Sequence, residues 1–300
     1  MNPSDTLKAV EIAGLSRRFG AKLALNQVSL QAARGRVFGL VGANGAGKTT
    51  LIKHLIGRLK AQSGSVRVFG FDPVADPVAV LSRIGYLSEN RDLPAWMRVD
   101  ELLRYTEAFY PGWDRAYAGQ LREQFGLDPR AKIKTLSRGE NAKAGLLIAL
   151  AYRPELLLLD EPSSGLDPVV RRDILEAIIR VVAEEGRSVV FSSHLLEEVE
   201  RVADQLVMLQ RGRVVLHGGI AEVRRDHVAA VLAFAEPQAS APVLAGALAV
   251  GGEGAEWEVL FGGSRRELEH AAAQLGARVI RERTPSLDEI LVARVRGNGH

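Results

Sequence analysis

Three hundred residues, 47% apolar and 25% charged, supply a sizeable buried core for one large domain or two smaller ones. The absence of cysteine excludes a disulfide scaffold, a thiolate nucleophile, an iron–sulfur cluster and a Cys-ligated zinc site, and it fits a reducing cytoplasm. The net charge of +3 is uneven: residues 226–300 hold seven Arg against ten Asp or Glu, a net −3, so residues 1–225 carry +6. That excess is too dilute for nucleic acid, which is not expected as a partner, and it suits one small anion.

The opening Met1-Asn-Pro-Ser-Asp5 leads into no apolar run, so no secretory signal is expected. Lys22–Ala32 alternates apolar and polar residues and predicts a half-buried strand. Arg36–Val41 predicts a strand running into a Gly-rich loop. Lys48–Leu59 follows with Leu51, Ile52, Leu55 and Ile56 at helical spacing. Gly64–Gly70 and Ile84–Leu87 predict further strands. Residues 91–135 change character: Val99–Phe109 is helical, and seven of the 17 aromatics lie between Trp96 and Phe125. A small helical subdomain with an aromatic core is expected there. Ala142–Tyr152 predicts a helix, and Leu156–Leu159 a strand buried on both faces. Arg171–Glu185 sets Ile174, Leu175, Ile178, Ile179 and Val182 on one stripe, with Gly186 to end the helix. Ser188–Phe191 is another buried-type strand. This alternation predicts an α/β fold with a largely parallel, doubly wound sheet. Beyond residue 226 the chain is Ala-rich and Lys-free. Its longest mostly apolar stretch, 241–252, falls short of the ~20 residues that span a bilayer. Trp257–Phe261 and Arg278–Arg281 predict strands. Ser264-Arg-Arg-Glu267 and Ser286-Leu-Asp-Glu289 are capping boxes that open short helices, so a small α+β appendage is expected.

Gly42-Ala-Asn-Gly-Ala-Gly47-Lys48-Thr49 matches the phosphate-loop pattern, between a predicted strand and a predicted helix. Glycines let backbone N–H groups converge on phosphate oxygens without side-chain clash. The helix that follows directs its positive end at the anion. Lys48 offers a point charge to the β- and γ-phosphates, and Thr49 a hydroxyl to Mg²⁺. Leu156-Leu-Leu-Leu-Asp160-Glu161-Pro162 places two carboxylates at the end of a buried strand. Asp160 is the candidate Mg²⁺ holder, and Glu161 the candidate general base.

Together with Leu136-Ser-Arg-Gly-Glu140, these motifs resemble the ATP-binding subunit of an ABC transporter, a phosphate-loop ATPase cassette. The resemblance covers roughly residues 7–225, with a helical subdomain at about 91–150 and an accessory domain at 226–300. It implies ATP and Mg²⁺ as ligands, with Gly42, Asn44, Gly45, Ala46, Gly47, Lys48, Thr49 and Thr50 around the nucleotide. Leu136–Glu140 resembles the family's signature, through which Ser137 and Gly139 meet the γ-phosphate of a second cassette packed head to tail. Ser164-Gly-Leu-Asp167 resembles the loop between the two sites of that dimer. His194, after Val189-Val-Phe-Ser-Ser193, resembles the switch histidine, and Phe19 the aromatic that stacks on adenine. Glu89 stands where the family often has Gln, able to accept from metal-bound water. The signature carries Arg138 and Glu140 where Gly and Gln are usual. These departures are expected to tune turnover, not abolish it.

The resemblance further implies a separate membrane-spanning permease subunit, a homo- or heterodimer of cassettes, and a peripheral location on the cytoplasmic face of the membrane. It places Ser88–Arg98, with Trp96 and Met97, where the membrane subunit's intracellular helix is received. The appendage resembles C-terminal extensions of bacterial and archaeal export ATPases, so export is expected. The alternatives are a non-transport ABC ATPase of translation or DNA repair, and a cassette that binds ATP without hydrolysis.

Overall fold

A computed structural model describes residues 8–297, and the side chains of 182–184 and 295–297 lie outside the description, Val182 of the expected stripe among them. The chain divides into two compact units, Met1–Val214 and Val215–His300. That boundary precedes the composition change at residue 226. The reason is local: helix Ile220–Arg225 is tied to the strand that follows it, where His227 Nδ1 donates to the Val223 carbonyl at 2.6 Å.

The first unit runs β1 (Lys8–Phe19), β2 (Lys22–Ala33), β3 (Val37–Val41), α1 (Lys48–Leu55), β4 (Ser63–Val68), α2 (Pro77–Leu81) and β5 (Ile84–Leu87). It continues through α3 (Val99–Glu107), α4 (Arg115–Gln124), α5 (Arg138–Leu150), β6 (Leu156–Leu159), α6 (Pro168–Glu185), β7 (Ser188–Ser193), α7 (Leu196–Val202) and β8 (Gln205–Gln210), and β9 (Arg213–Gly219) carries the unit boundary. A six-stranded sheet has the order β5-β6-β7-β3-β8-β9, parallel from β5 through β8. Its centre is β3, β6 and β7, buried at every position, as the continuous apolar runs of β3 and β6 require. A second sheet, β2-β1-β4, is antiparallel. One core cluster joins both sheets to α1 through Leu15, Leu25, Phe38, Leu40, Leu51, Ile52 and Leu158. Strand β1 carries no clean alternation that would mark it in the sequence, its burial pattern being irregular. Helix α1 stops at Leu55 rather than Leu59 because Gly57 follows in the left-handed region, with φ +71°.

The helical subdomain departs from expectation. Its buried residues are mostly aliphatic: Met97, Val99, Leu102, Leu121, Leu127 and Ile133, with Phe125 as the buried ring of the 96–125 group. Trp96 is 71% exposed, Phe109 63% and Tyr105 51%. On α3, Val99 and Leu102 face inward and Tyr105 is exposed, and Phe109 stands in the turn just past the helix end at Glu107. The Tyr105 and Phe109 rings meet edge to face, centroids 5.1 Å apart. On α6, Ile174, Leu175 and Ile178 are buried as expected, but Ile179 is exposed and Val181 takes the inward position.

The second unit contains α8 (Ile220–Arg225), β10 (His227–Gln238), β11 (Ala247–Gly262), α9 (Arg265–Gln274), β12 (Ala277–Arg283) and α10 (Leu287–Gly297). Its antiparallel sheet has the order β11-β10-β12. Leu232, Trp257 and Phe261 on one face pack with Leu268 and Ala272 of α9. Ala229 and Leu260 on the other face pack with Ala293 of α10. Both capping boxes form: Ser264 and Glu267 at α9, Ser286 and Glu289 at α10.

Candidate functional site

The loop from β3 into α1 is shaped by close approach. A Cβ on Gly47, where φ is +115°, would lie 2.7 Å from the Ala24 carbonyl oxygen. One on Gly42 would lie 2.4 Å from the Leu209 carbonyl oxygen. Lys48 at the first position of α1 is buried. Its Nζ donates to the carbonyls of Gly42 (2.5 Å) and Ala43 (3.4 Å) and pairs with Glu161 Oε1 at 2.9 Å.

The buried run of β6 delivers Asp160 and Glu161 to the same edge of the sheet. Asp160 Oδ1 accepts from Thr49 Oγ1 at 3.1 Å and from Ser192 Oγ at 2.8 Å. Ser192 Oγ accepts in turn from the Glu161 N–H at 2.8 Å, so one hydroxyl spaces the two acidic residues. Burial raises the Asp160 carboxyl above its ordinary value; the Ser192 and Thr49 hydrogen bonds oppose the rise, and neighbouring Glu161 adds to it. Glu161 itself has φ +48°, a left-handed backbone that L side chains adopt at a cost. Its Oε2 lies 2.8 Å from His194 Nδ1. The carboxylate therefore bridges Lys48 and His194.

Beside these groups is a cavity of about 290 Å³. It is lined by Phe19, Asn44, Gly45, Gly47, Lys48, Thr49, Thr50, Glu89 and Glu161, all expected at the site, and also by Lys22 and Ala24. Gly42 and Ala46 complete the loop, Asp160 adjoins through Thr49, and His194 through Glu161. A larger cavity, about 430 Å³, lies on the sheet of the second unit and holds none of these residues. The β1–β2 hairpin aims Phe19 and Lys22 into the site because they are cross-strand partners at its tip. The Arg17 guanidinium sits 4.8 Å over the Phe19 ring.

Ser137, Gly139 and Asp167 do not line this cavity. Ser137 caps α5: its Oγ accepts from the Glu140 N–H at 3.2 Å, while Glu140 Oε2 accepts from the Ser137 N–H at 2.8 Å. This capping box starts α5 at Arg138 rather than Ala142, and it gives Glu140, one of the departures, a structural role. Gly139 packs on Val170, whose Cγ2 would stand 2.9 Å from an added Cβ. Asp167 Oδ1 accepts from the N–H groups of Val169 and Val170 and starts α6 at Pro168. Arg138 is exposed, its Nη1 reaching toward Gly165.

Several residues escaped the sequence reading. Arg91 donates to the carbonyls of Pro162 (3.1 Å) and Ser164 (2.8 Å), tying the Glu89 segment to the loop after Glu161. Ser192, Ser163, Ser193 and Glu198 form buried hydrogen bonds around Glu161 and His194. For Ser192 and Ser193 the signal was the hydroxyl-rich end of β7, a strand otherwise apolar at its centre. The oxygens at Thr49 and Asp160 are hard donors that fit Mg²⁺. Among the described residues no three acidic or His side chains converge on one point, and phosphate and water would complete the shell of such an ion.

The family described as ABC transporter matches residues 25–164. The daunorubicin/doxorubicin resistance ATP-binding protein of Streptomyces peucetius is 33% identical over 235 residues, covering 75% of this chain and 69% of that protein. The Nod factor export ATP-binding protein I of Rhizobium johnstonii is 32% identical over 276 residues, covering 89% of this chain and 84% of that protein. A solved ATP-binding subunit of an ABC transporter superposes with a TM-score of 0.67 at 30% identity, covering 72% of this chain and 92% of that one.

Proposed function

The chain belongs to the ABC transporter family of ATP-binding subunits, ATPases coupled to transport, and from that premise we propose that it drives export through a separate permease, as one half of a head-to-tail cassette dimer. The observation that carries the catalytic part is the Glu161 carboxylate held between Lys48 and His194 at the mouth of the phosphate loop. In this reading Lys48 leaves Glu161 for the β- and γ-phosphates of ATP. Glu161 is then free to act as general base toward the attacking water, with His194 orienting it. Thr49, Asp160 and Glu89 are the residues that would hold Mg²⁺, which supplies charge neutralisation to the phosphates when bound. Phe19 stacks on adenine, and Asn44, Gly45, Ala46, Gly47 and Thr50 enclose the phosphates.

The head-to-tail dimer is supported by what the cavity lacks. Ser137, Gly139 and Asp167 resemble nucleotide contacts but lie outside it, as half-sites offered to a second copy would. Export is supported by the two export and resistance relatives. For the permease we infer a contact at Ser88–Arg98, within which Trp96 is exposed and available, whereas Met97 is buried and not. No helix among the described residues is long and apolar enough to cross a membrane. A peripheral position at the cytoplasmic face follows from the proposed partnership.

The test is turnover. Glu161→Gln is expected to lower ATP hydrolysis at least ~100-fold while ATP binding persists. Wild-type protein with no turnover above that variant would replace the ATPase reading with binding alone.

A further inference from the structure

Glu198 is a buried carboxylate that the proposed chemistry does not use. Such a group costs stability unless several partners hold it. Here the partners come from three segments. Ser163 Oγ, on the loop after Glu161, donates to Glu198 Oε2 at 2.7 Å. Ser193 Oγ, at the end of β7, donates to the same oxygen at 2.6 Å. Arg171 of α6 brings Nε to 3.4 Å from Oε1, and its Nη2 donates to the Leu166 carbonyl at 3.5 Å.

The geometry points to Glu198 as a positioning residue that holds His194 against Glu161. Ser193 Oγ has one proton and gives it to Glu198, so its lone pairs are left to accept, and they accept from the Leu195 N–H at 3.0 Å. One hydroxyl thus fixes the backbone on both sides of His194. Ser163, two residues beyond Glu161, is held by the same carboxylate oxygen. The His194–Glu161 contact at 2.8 Å closes the ring. Arg171 adds an ion pair at 3.4 Å, without a hydrogen bond to the carboxylate. A buried charge serves this purpose better than a neutral group. Gln at 198 can accept from both serines through its carbonyl, but its amide then faces Arg171 donor to donor. Exposed Glu197, its neighbour, makes none of these contacts and serves as the control.

This inference rests on the ATPase reading for its kinetic consequence but not for its geometry, and the experiment separates the two. The full chain is compared as wild type, Glu198→Ala, Glu198→Gln, His194→Ala, the double variant His194→Ala with Glu198→Ala, and Glu197→Ala. Turnover and ATP affinity are measured, together with the imidazole ¹⁵N signals of His194 in ¹⁵N-histidine protein. Glu198→Ala is expected to lower kcat about 10-fold or more with ATP affinity changed less than about 3-fold, and Glu198→Gln to fall between. In the His194→Ala background the same change is expected to cost less than about 2-fold, since residues acting through one another are not additive. The His194 signals of Glu198→Ala are expected to move to those of a freely averaging imidazole. Equal loss in both backgrounds, or His194 signals unmoved, overturns the assignment. If Glu198→Ala does not fold, the isosteric Glu198→Gln carries the same measurements. A wild type without turnover defeats the ATPase reading alone, and the ¹⁵N signals still decide Glu198.

Discussion

At the scale of single residues, the site is a set of short polar contacts that share one carboxylate, Glu161. Lys48 satisfies its buried charge with Glu161 and the Gly42 carbonyl, and a nucleotide must offer it at least as much. Lys48→Ala is expected to weaken ATP binding at least ~10-fold, the loss of one charge-assisted contact, measured by titration of the purified chain. Gly47→Ala is expected to do similar damage without removing any charge. Its Cβ would press on the Ala24 carbonyl oxygen and drive the loop off its path. Sequence alone named Lys48, Thr49, Asp160 and Glu161, because a phosphate loop and a buried strand end are local patterns. It did not name Arg91, Ser192 or Glu198, whose partners lie 71, 32 and 35 residues away in the chain.

At the scale of elements, glycines decide how closely helices and strands meet. A Cβ on Gly85 of β5 would stand 2.2 Å from the Ala149 carbonyl oxygen of α5. That oxygen is backbone and cannot rotate away, so Gly85→Ala is expected to cost about 1–3 kcal/mol in chemical denaturation. The start of α10 carries a pH signature. The Arg283 guanidinium first, and the Ser286 N–H next, hold the Glu289 carboxyl down to about 2. A depressed carboxyl contributes stability above its unfolded value and loses it as the pH falls toward its folded one. Glu289→Gln is therefore expected to melt below wild type near about pH 6, and the gap to close near about pH 2. The capping boxes at Ser264 and Ser286 were legible in sequence because they span four residues. The exposed ring pair Tyr105–Phe109 was not, because an aromatic count does not say whether a ring turns to the core or to solvent.

At the scale of the whole molecule, the +6 and −3 parts of the charge differ in composition, while the compact units divide earlier, at Val214 and Val215. If ATP joins two cassettes, the Glu161→Gln variant with ATP is expected to run as a dimer in size-exclusion chromatography and as a monomer without it. Arg138→Asp is expected to weaken that dimer while leaving the affinity of one chain for ATP unchanged. It reverses an exposed charge beside Gly165, away from the chain's own cavity.

The phosphate loop, the paired carboxylates, the parallel strand–helix alternation and the family are legible in the chain alone, since each is written in short runs of residues whose chemistry is local. It takes the folded chain to share Glu161 between Lys48 and His194, to keep Ser137, Gly139 and Asp167 outside the cavity, and to join two loops through one buried glutamate. Those facts depend on strands β3, β6 and β7 lying side by side in an order the chain does not follow. Burial turns such proximity into strong polar coupling, because in the low dielectric of the interior each charge has to find its partner within the protein.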